Sequence, residues 1–164
     1  MTKRTRTTPQ PQQWYSASDV RAACAHPCAP SAALVRHPVQ TLAQLTHPKS
    51  VRQACGYGHS QTAFAQALTQ AERLAYPNER IKPWERSRVS HSERGQITPR
   101  YQADCLLLLE QTVRRYHPTL HVRGNFSDPA RWHFAAFKIC ANTGCAREFK
   151  INQLTQKLCP ECRK

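Results

Sequence analysis

For most of its length this chain places apolar residues at helical spacing, in short runs cut by proline. Order is expected from Trp14-Tyr15, where Ser16 or Ser18 can cap a short helix with Asp19 in its first turn. His26, His37 and His47 each precede a proline and mark helix boundaries. Between those boundaries lie helical pieces at 31–36 and 39–46, the second offering Val39, Leu42, Ala43 and Leu45 to a core. A third piece runs over 49–55, and Gly56-Tyr57-Gly58 must turn. Ser60 then caps a longer helix that reaches about Tyr76 before Pro77. Phe64, Ala67, Leu68, Ala71, Leu74 and Ala75 share one face of it.

The clearest helix opens at Thr98-Pro99, since proline suits the first helical position. Tyr101, Cys105, Leu108, Leu109, Thr112 and Tyr116 follow at helical spacing. Leu106 to Leu109 is apolar nearly all round, so this helix is central to the core or shared with another subunit, and an oligomer is expected. Cys105 reads as a small buried hydrophobe. After turns at Arg123-Gly124-Asn125 and Asp128-Pro129, an aromatic element over 130–138 carries Trp132, Phe134 and Phe137. Phe149 and Ile151 alternate as in a strand. The expected fold is mainly α: a helical domain with a helix-turn-helix-like hairpin, plus a small C-terminal module like a zinc ribbon. The segments are 1–13, 14–77, 78–100, 101–138 and 139–164.

Cysteine spacing adds the first chemistry. Cys140 and Cys145 form one pair, Cys159 and Cys162 another, with a medium spacer between. Two short pairs suit one tetrahedral metal clamped from two tight turns, and four thiolates leave no open position on zinc. Pro160 stiffens the second turn, while Asn142, Thr143 and Gly144 let the wider first one close. Two disulfides or four unrelated thiols are the alternative. No apolar leader follows Met1, which places the chain in the reducing cytoplasm, where metal ligation is the better account. Cys24 and Cys28 suggest a second site with His37, His47, Cys55 or His59, but no second pair completes the set.

Charge narrows the partners. The chain carries 24 Lys and Arg against 10 Asp and Glu, a net charge of +14 that favours polyanions. No apolar run approaches membrane-spanning length, so nucleic acid is the expected partner. Lys3, Arg4 and Arg6 make 1–13 a disordered basic arm or a solvated tail. Arg80, Lys82, Arg86, Arg88 and Arg94 make 78–100 a basic connector that could grip phosphates, with Trp84 as an anchor or a stacking platform. A short helix, a glycine turn and an amphipathic helix form the helix-turn-helix pattern, whose second helix enters the major groove of double-stranded DNA. His59, Gln61, Thr62 and Gln66 would then face base edges, where Gln pairs with adenine and Thr meets a base edge or a thymine methyl. A plain helical hairpin in an all-α core would give the same pattern.

The stretch from Ala54 to Phe64 resembles the second helix-turn-helix of AraC-type regulators, where Gly-Tyr is followed by a polar run and a Phe. The wider arrangement, with Arg131-Trp132-His133-Phe134 before a four-Cys module, resembles FlhC, the larger subunit of the flagellar master activator, and its relatives in conjugative elements. That family has two-residue gaps in both Cys pairs, and here the first gap is wider. The resemblance implies an aromatic helix before the module, zinc on Cys140, Cys145, Cys159 and Cys162, a small FlhD-like subunit and promoter DNA beside RNA polymerase.

No enzyme is expected. The chain has no Gly-rich phosphate loop with its Lys, no nucleophile elbow and no His-Glu-x-x-His helix. A zinc-supported nuclease with His121 or His133 as base is the weakest alternative. An RNA- or ribosome-associated zinc protein, or a scaffold of a mobile element or phage, is the stronger one. The leading expectation is a DNA-binding transcription regulator, an activator within a multisubunit complex.

Overall fold

The structure, a computed structural model, describes residues 29–164. The basic arm, the first expected helix and the Cys24/Cys28 pair lie outside these residues.

Proline and short polar caps set the helix starts. Helix α1 (Ala32–Arg36) begins where Ser31 Oγ accepts from Leu34 N at 3.2 Å. Helix α2 (Pro38–Gln44) and helix α3 (Pro48–Ala54) each take proline at the first position behind a histidine. His47 Nδ1 accepts from Lys49 N while Ser50 Oγ accepts from His47 N, which closes a capping box. Helix α4 (Gln61–Ala75) is capped by Ser60, and helix α6 (Pro99–Tyr116) by Thr98. Helix α5 (Arg86–Glu93) forms inside the segment expected to be a connector. It is short and polar, but Val89 and Ser92 are buried beneath it. Trp84 just before it is only 7 % exposed.

Three strands follow: β1 (His121–Asn125), β2 (His133–Ile139) and β3 (Glu148–Lys150), antiparallel in that order. The fold is therefore mostly helical with a small three-stranded sheet, and two of those strands lie before the cysteine module. The aromatic helix implied before the cysteines is β2. From Trp132, just before the strand, buried residues alternate through Phe134 and Ala136, with exposed His133 and half-buried Ala135 between them. That period of two is the signature of a strand, and it leaves Phe137 half-buried on the opposite face from Phe134.

Helix α2 packs on β2, α6 on β1, and α4 on both α5 and α6. Trp132 N donates to Thr46 O at 2.9 Å, joining the sheet to the end of α2. Rings run through the centre from Trp84 to Tyr101 (5.5 Å), Trp132 (6.2 Å) and Phe126 (5.1 Å). The contacts of Trp84 with Tyr101 and of Phe126 with Trp132 are edge-to-face, which adds about 0.5–1.5 kcal/mol each beyond area burial. One buried cluster extends from Leu34 to Cys159, so the cysteine segment shares the core of the helices.

The face of α4 departs from its expected pattern. Phe64, Leu68 and Ala71 are buried as expected, but Ala65 and Thr69 are buried too, while Leu74 and Ala75 are exposed. Thr69 can go inside because its hydroxyl donates to Ala65 O (2.9 Å) and accepts from Trp84 N (2.8 Å). Ala43, expected in the core, is exposed on α2.

Candidate metal centre and basic hairpin

The four C-terminal cysteines converge. Cys140 directly follows β2, and the turn to β3 carries the first pair, so the first knuckle is the loop of a β-hairpin. Cys140 N donates to Arg147 O at 2.8 Å, extending the β2–β3 ladder by one rung. Asn142 shapes the loop: its Oδ1 accepts from Gly144 N (3.2 Å) and its backbone oxygen accepts from Cys145 N (2.9 Å). Ala146 completes the turn in the left-handed region, with φ 46°. Past β3, Ile151 N bonds Ala136 O and buries Ile151, which steers the chain back towards the second knuckle. There Cys162 N donates to Cys159 O at 3.1 Å, and Ala141 N to Lys157 O at 2.9 Å.

The sulfurs of Cys140, Cys145, Cys159 and Cys162 all lie within 4.8 Å of one another. None of the cysteines among the described residues is in a disulfide. Cys145 Sγ and Cys159 Sγ stand 3.7 Å apart, far beyond the roughly 2.05 Å of a disulfide. Backbone and amide groups already point at the sulfurs: Cys159 N donates to Cys140 Sγ (3.5 Å) and Asn142 Nδ2 to Cys162 Sγ (3.4 Å). The Cys159 N–H pulls the Cys140 thiol down to about 7. The Cys162 thiol, hydrogen-bonded to Cys159, is pushed up to about 12. Four thiols so close share protons, because adjacent thiolates repel. A metal cation at the centre would let all four ionise. The quartet could hold such an ion as a structural site.

The α3–α4 hairpin is locked from behind. Gly56 turns with φ 92°, a conformation that suits glycine. Tyr57 packs on Phe64 with ring centroids 6.0 Å apart. Arg52, buried on α3, donates from Nη1 to the carbonyls of Tyr57 (3.1 Å) and Gly58 (2.7 Å). Its Nε and Nη2 reach Glu93 at the end of α5, and Glu93 also accepts from Gln61 Nε2 at 2.8 Å.

This places the candidate base readers in two groups. His59, Thr62 and Gln66 are exposed. Gln61 is half-buried, and its amide is engaged with Glu93. Exposure continues along α4 through Gln70 and Arg73, so Thr62, Gln66, Gln70 and Arg73 form a polar stripe at helical spacing. The last two went unnoticed in the sequence, although the same spacing would have found them. Arg80, Lys82, Arg86, Arg88 and Arg94 are all exposed. Arg94 Nε donates to Ser90 O at 3.3 Å, while no side-chain partner holds the other four among the described residues. A notch of about 270 Å³ between Gln66, Gln70 and Arg73 on one side and Pro83 and Trp84 on the other puts stripe and connector side by side.

The two histidines weighed as a nuclease base stand apart. His121 pairs with Phe137 and His133 with Asn125, four steps along the same ladder or about 13 Å. His121 Nδ1 faces Glu110 at 3.4 Å. His37 and His47, weighed for a second metal, sit at the N-caps of α2 and α3, and Cys55 is buried with its thiol pushed up to about 12 by desolvation. No helix among the described residues is long and apolar enough to cross a membrane. Comparison with protein-family models, curated proteins and solved structures returns no match for this chain.

Proposed function

We propose that this protein binds double-stranded DNA as a transcription regulator, with α4 presented to the major groove and one zinc ion fastening its C-terminal knuckles. The carrying observation is the juxtaposition of an unengaged polar stripe on α4 with unpaired cations just beyond it. Thr62 and Gln66 on that stripe can meet base edges, and Arg80, Lys82, Arg86 and Arg88 can neutralise phosphates. His59, on the turn, joins the phosphate or base contacts from the N-terminal side of α4. Gln61 changes role: bound to Glu93, it fixes the angle at which α4 leaves the turn. The net charge of +14 supplies long-range attraction for the duplex.

Zinc is the metal that suits the cysteines. A thiolate-only tetrahedral site with bonds of about 2.3 Å has sulfur–sulfur edges of about 3.8 Å. The Cys145–Cys159 separation of 3.7 Å fits that edge. With four protein ligands the ion has no position for a reacting water, so the reading is a binding protein and the metal a brace. An activator acting beside RNA polymerase with a small FlhD-like subunit is the finer form of the proposal, and it rests on the resemblance alone.

Fluorescence anisotropy with a DNA duplex and a structured RNA of equal length tests the reading. Tighter binding to the duplex, weakening linearly with the logarithm of salt, is expected. Preference for the RNA would replace it with the RNA-associated alternative.

A further inference from the structure

We propose that a groove between the last turn of α4 and the outer face of α6 docks an acidic amphipathic helix from a partner protein. The groove holds about 540 Å³ and is floored by Leu74, Leu107 and Pro118. Gln111 closes its base, donating from Nε2 to Ala71 O at 3.0 Å and so joining the two helices. Arg114 and Arg115 line it with exposed guanidinium groups that have no ion-pair partner among the described residues. Glu110 lies at the same site, but its carboxylate already faces His121 at 3.4 Å and Arg123 at 4.0 Å.

Leu74 is 65 % exposed, although helical spacing would have put it with Phe64 and Leu68 in the core. An exposed leucine joined to Leu107 and Pro118 in one concave patch marks a surface that another molecule covers. An apolar floor with anchor positions along one helix fits a helix laid in a groove, read by side chains at i, i+3 or i+4, and i+7.

The charge of the rim selects the occupant. A second copy would bring Arg114 and Arg115 towards another strongly basic surface, at net +14 per chain. The first 28 residues of this chain carry Lys3, Arg4, Arg6 and Arg21 against Asp19 alone, so they too would be repelled. A nucleic acid would satisfy the arginines and leave Leu74 in water. A partner helix with leucine-like residues on one face and carboxylates flanking them satisfies both features. This inference stands apart from DNA binding and needs none.

The test uses the whole chain and a fluorescently labelled synthetic helical peptide, with leucines on one face and glutamates elsewhere. A scrambled peptide of the same composition is the control, and no DNA is present. Saturable binding to the patterned peptide is expected. Leu74→Asp, and separately the double change Arg114→Glu with Arg115→Glu, should each weaken it at least about tenfold. These positions are exposed, and circular dichroism with thermal unfolding verifies that the variants fold. Equal binding of the scrambled peptide would overturn the proposal, since charge alone would then explain it. An unaffected Leu74→Asp variant would do the same. So would sedimentation showing that the free protein self-associates and that Leu74→Asp abolishes the association.

Discussion

Arg52 and Glu93 form a two-pronged, nearly sealed ion pair, with Nε to Oε1 at 2.5 Å and Nη2 to Oε2 at 3.2 Å. Their side chains are 7 % and 10 % exposed. Because Nη1 holds the turn carbonyls and Glu93 also holds Gln61, this pair ties α3, the glycine turn, α4 and α5 into one unit.

Removing one partner leaves the other charge buried. Glu93→Ala should therefore lower stability by about 3–5 kcal/mol. Gln61→Ala, which loses one hydrogen bond while leaving the ion pair, should cost about 1 kcal/mol. Urea unfolding of the two variants checks the ratio. Equal losses would mean that the ion pair does not hold the hairpin.

Asp104 on α6 is buried between Trp84 and Arg100. It accepts from the Trp84 indole N–H at 2.7 Å and lies 3.6 Å from Arg100 Nε. Burial nonetheless raises its carboxyl from 3.8 to about 6. The folded state thus holds this proton more tightly than the unfolded chain, so the group's contribution to stability decreases as pH rises from about 4 to about 6. Above that window the ionised, desolvated carboxylate is a constant cost. Asp104→Asn keeps an acceptor for the indole and removes the titration. The stability of the native protein relative to this variant should fall across the window and level off above it, as measured by denaturant unfolding at several pH values.

The metal site gives a stoichiometric expectation. Native mass spectrometry of the full chain should find one zinc held by the C-terminal quartet, and Cys159→Ser should lose it. Asn142→Ala removes the amide that faces Cys162 Sγ and should weaken metal affinity by roughly tenfold or more. Chelation should lower the melting temperature, because Phe149, Ile151 and Cys159 belong to the shared core. A chelated protein that melts unchanged would make the quartet irrelevant to folding.

Phosphate and base contacts should separate under salt. Arg86→Ala and Arg88→Ala are each expected to weaken all duplexes alike and to reduce the salt slope by about 1. Thr62→Ala and Gln66→Ala should instead relax base preference, by about 1–3 kcal/mol per lost contact. Anisotropy titrations on matched and mismatched duplexes distinguish the two behaviours.

Local rules made much of this molecule legible in advance. Ser60, Thr98 and the His-Pro boundaries start helices where capping chemistry puts them. Two cysteine pairs were enough to anticipate one four-sulfur cluster. What escaped depended on long-range contacts. The resemblance implies a helix around Arg131 to Phe134, whereas the strand character of β2 follows from burial against α2 and from pairing with β1 from His133 to Phe137 and with β3 along its last three residues. Helix α5 has almost no amphipathic signal and is held by Val89 and by Glu93 reaching Arg52. Gln61 looked like a base reader because its partner lies 32 residues away, on a helix that was itself unforeseen.

Selection of the metal-loaded full chain against a pool of random DNA duplexes tests the central claim most directly. Enrichment of one sequence motif, lost when Thr62 and Gln66 are both changed to Ala, is the expected result. A pool that stays random while the protein binds it, or a motif that survives both substitutions, would contradict the placement of α4 in the major groove.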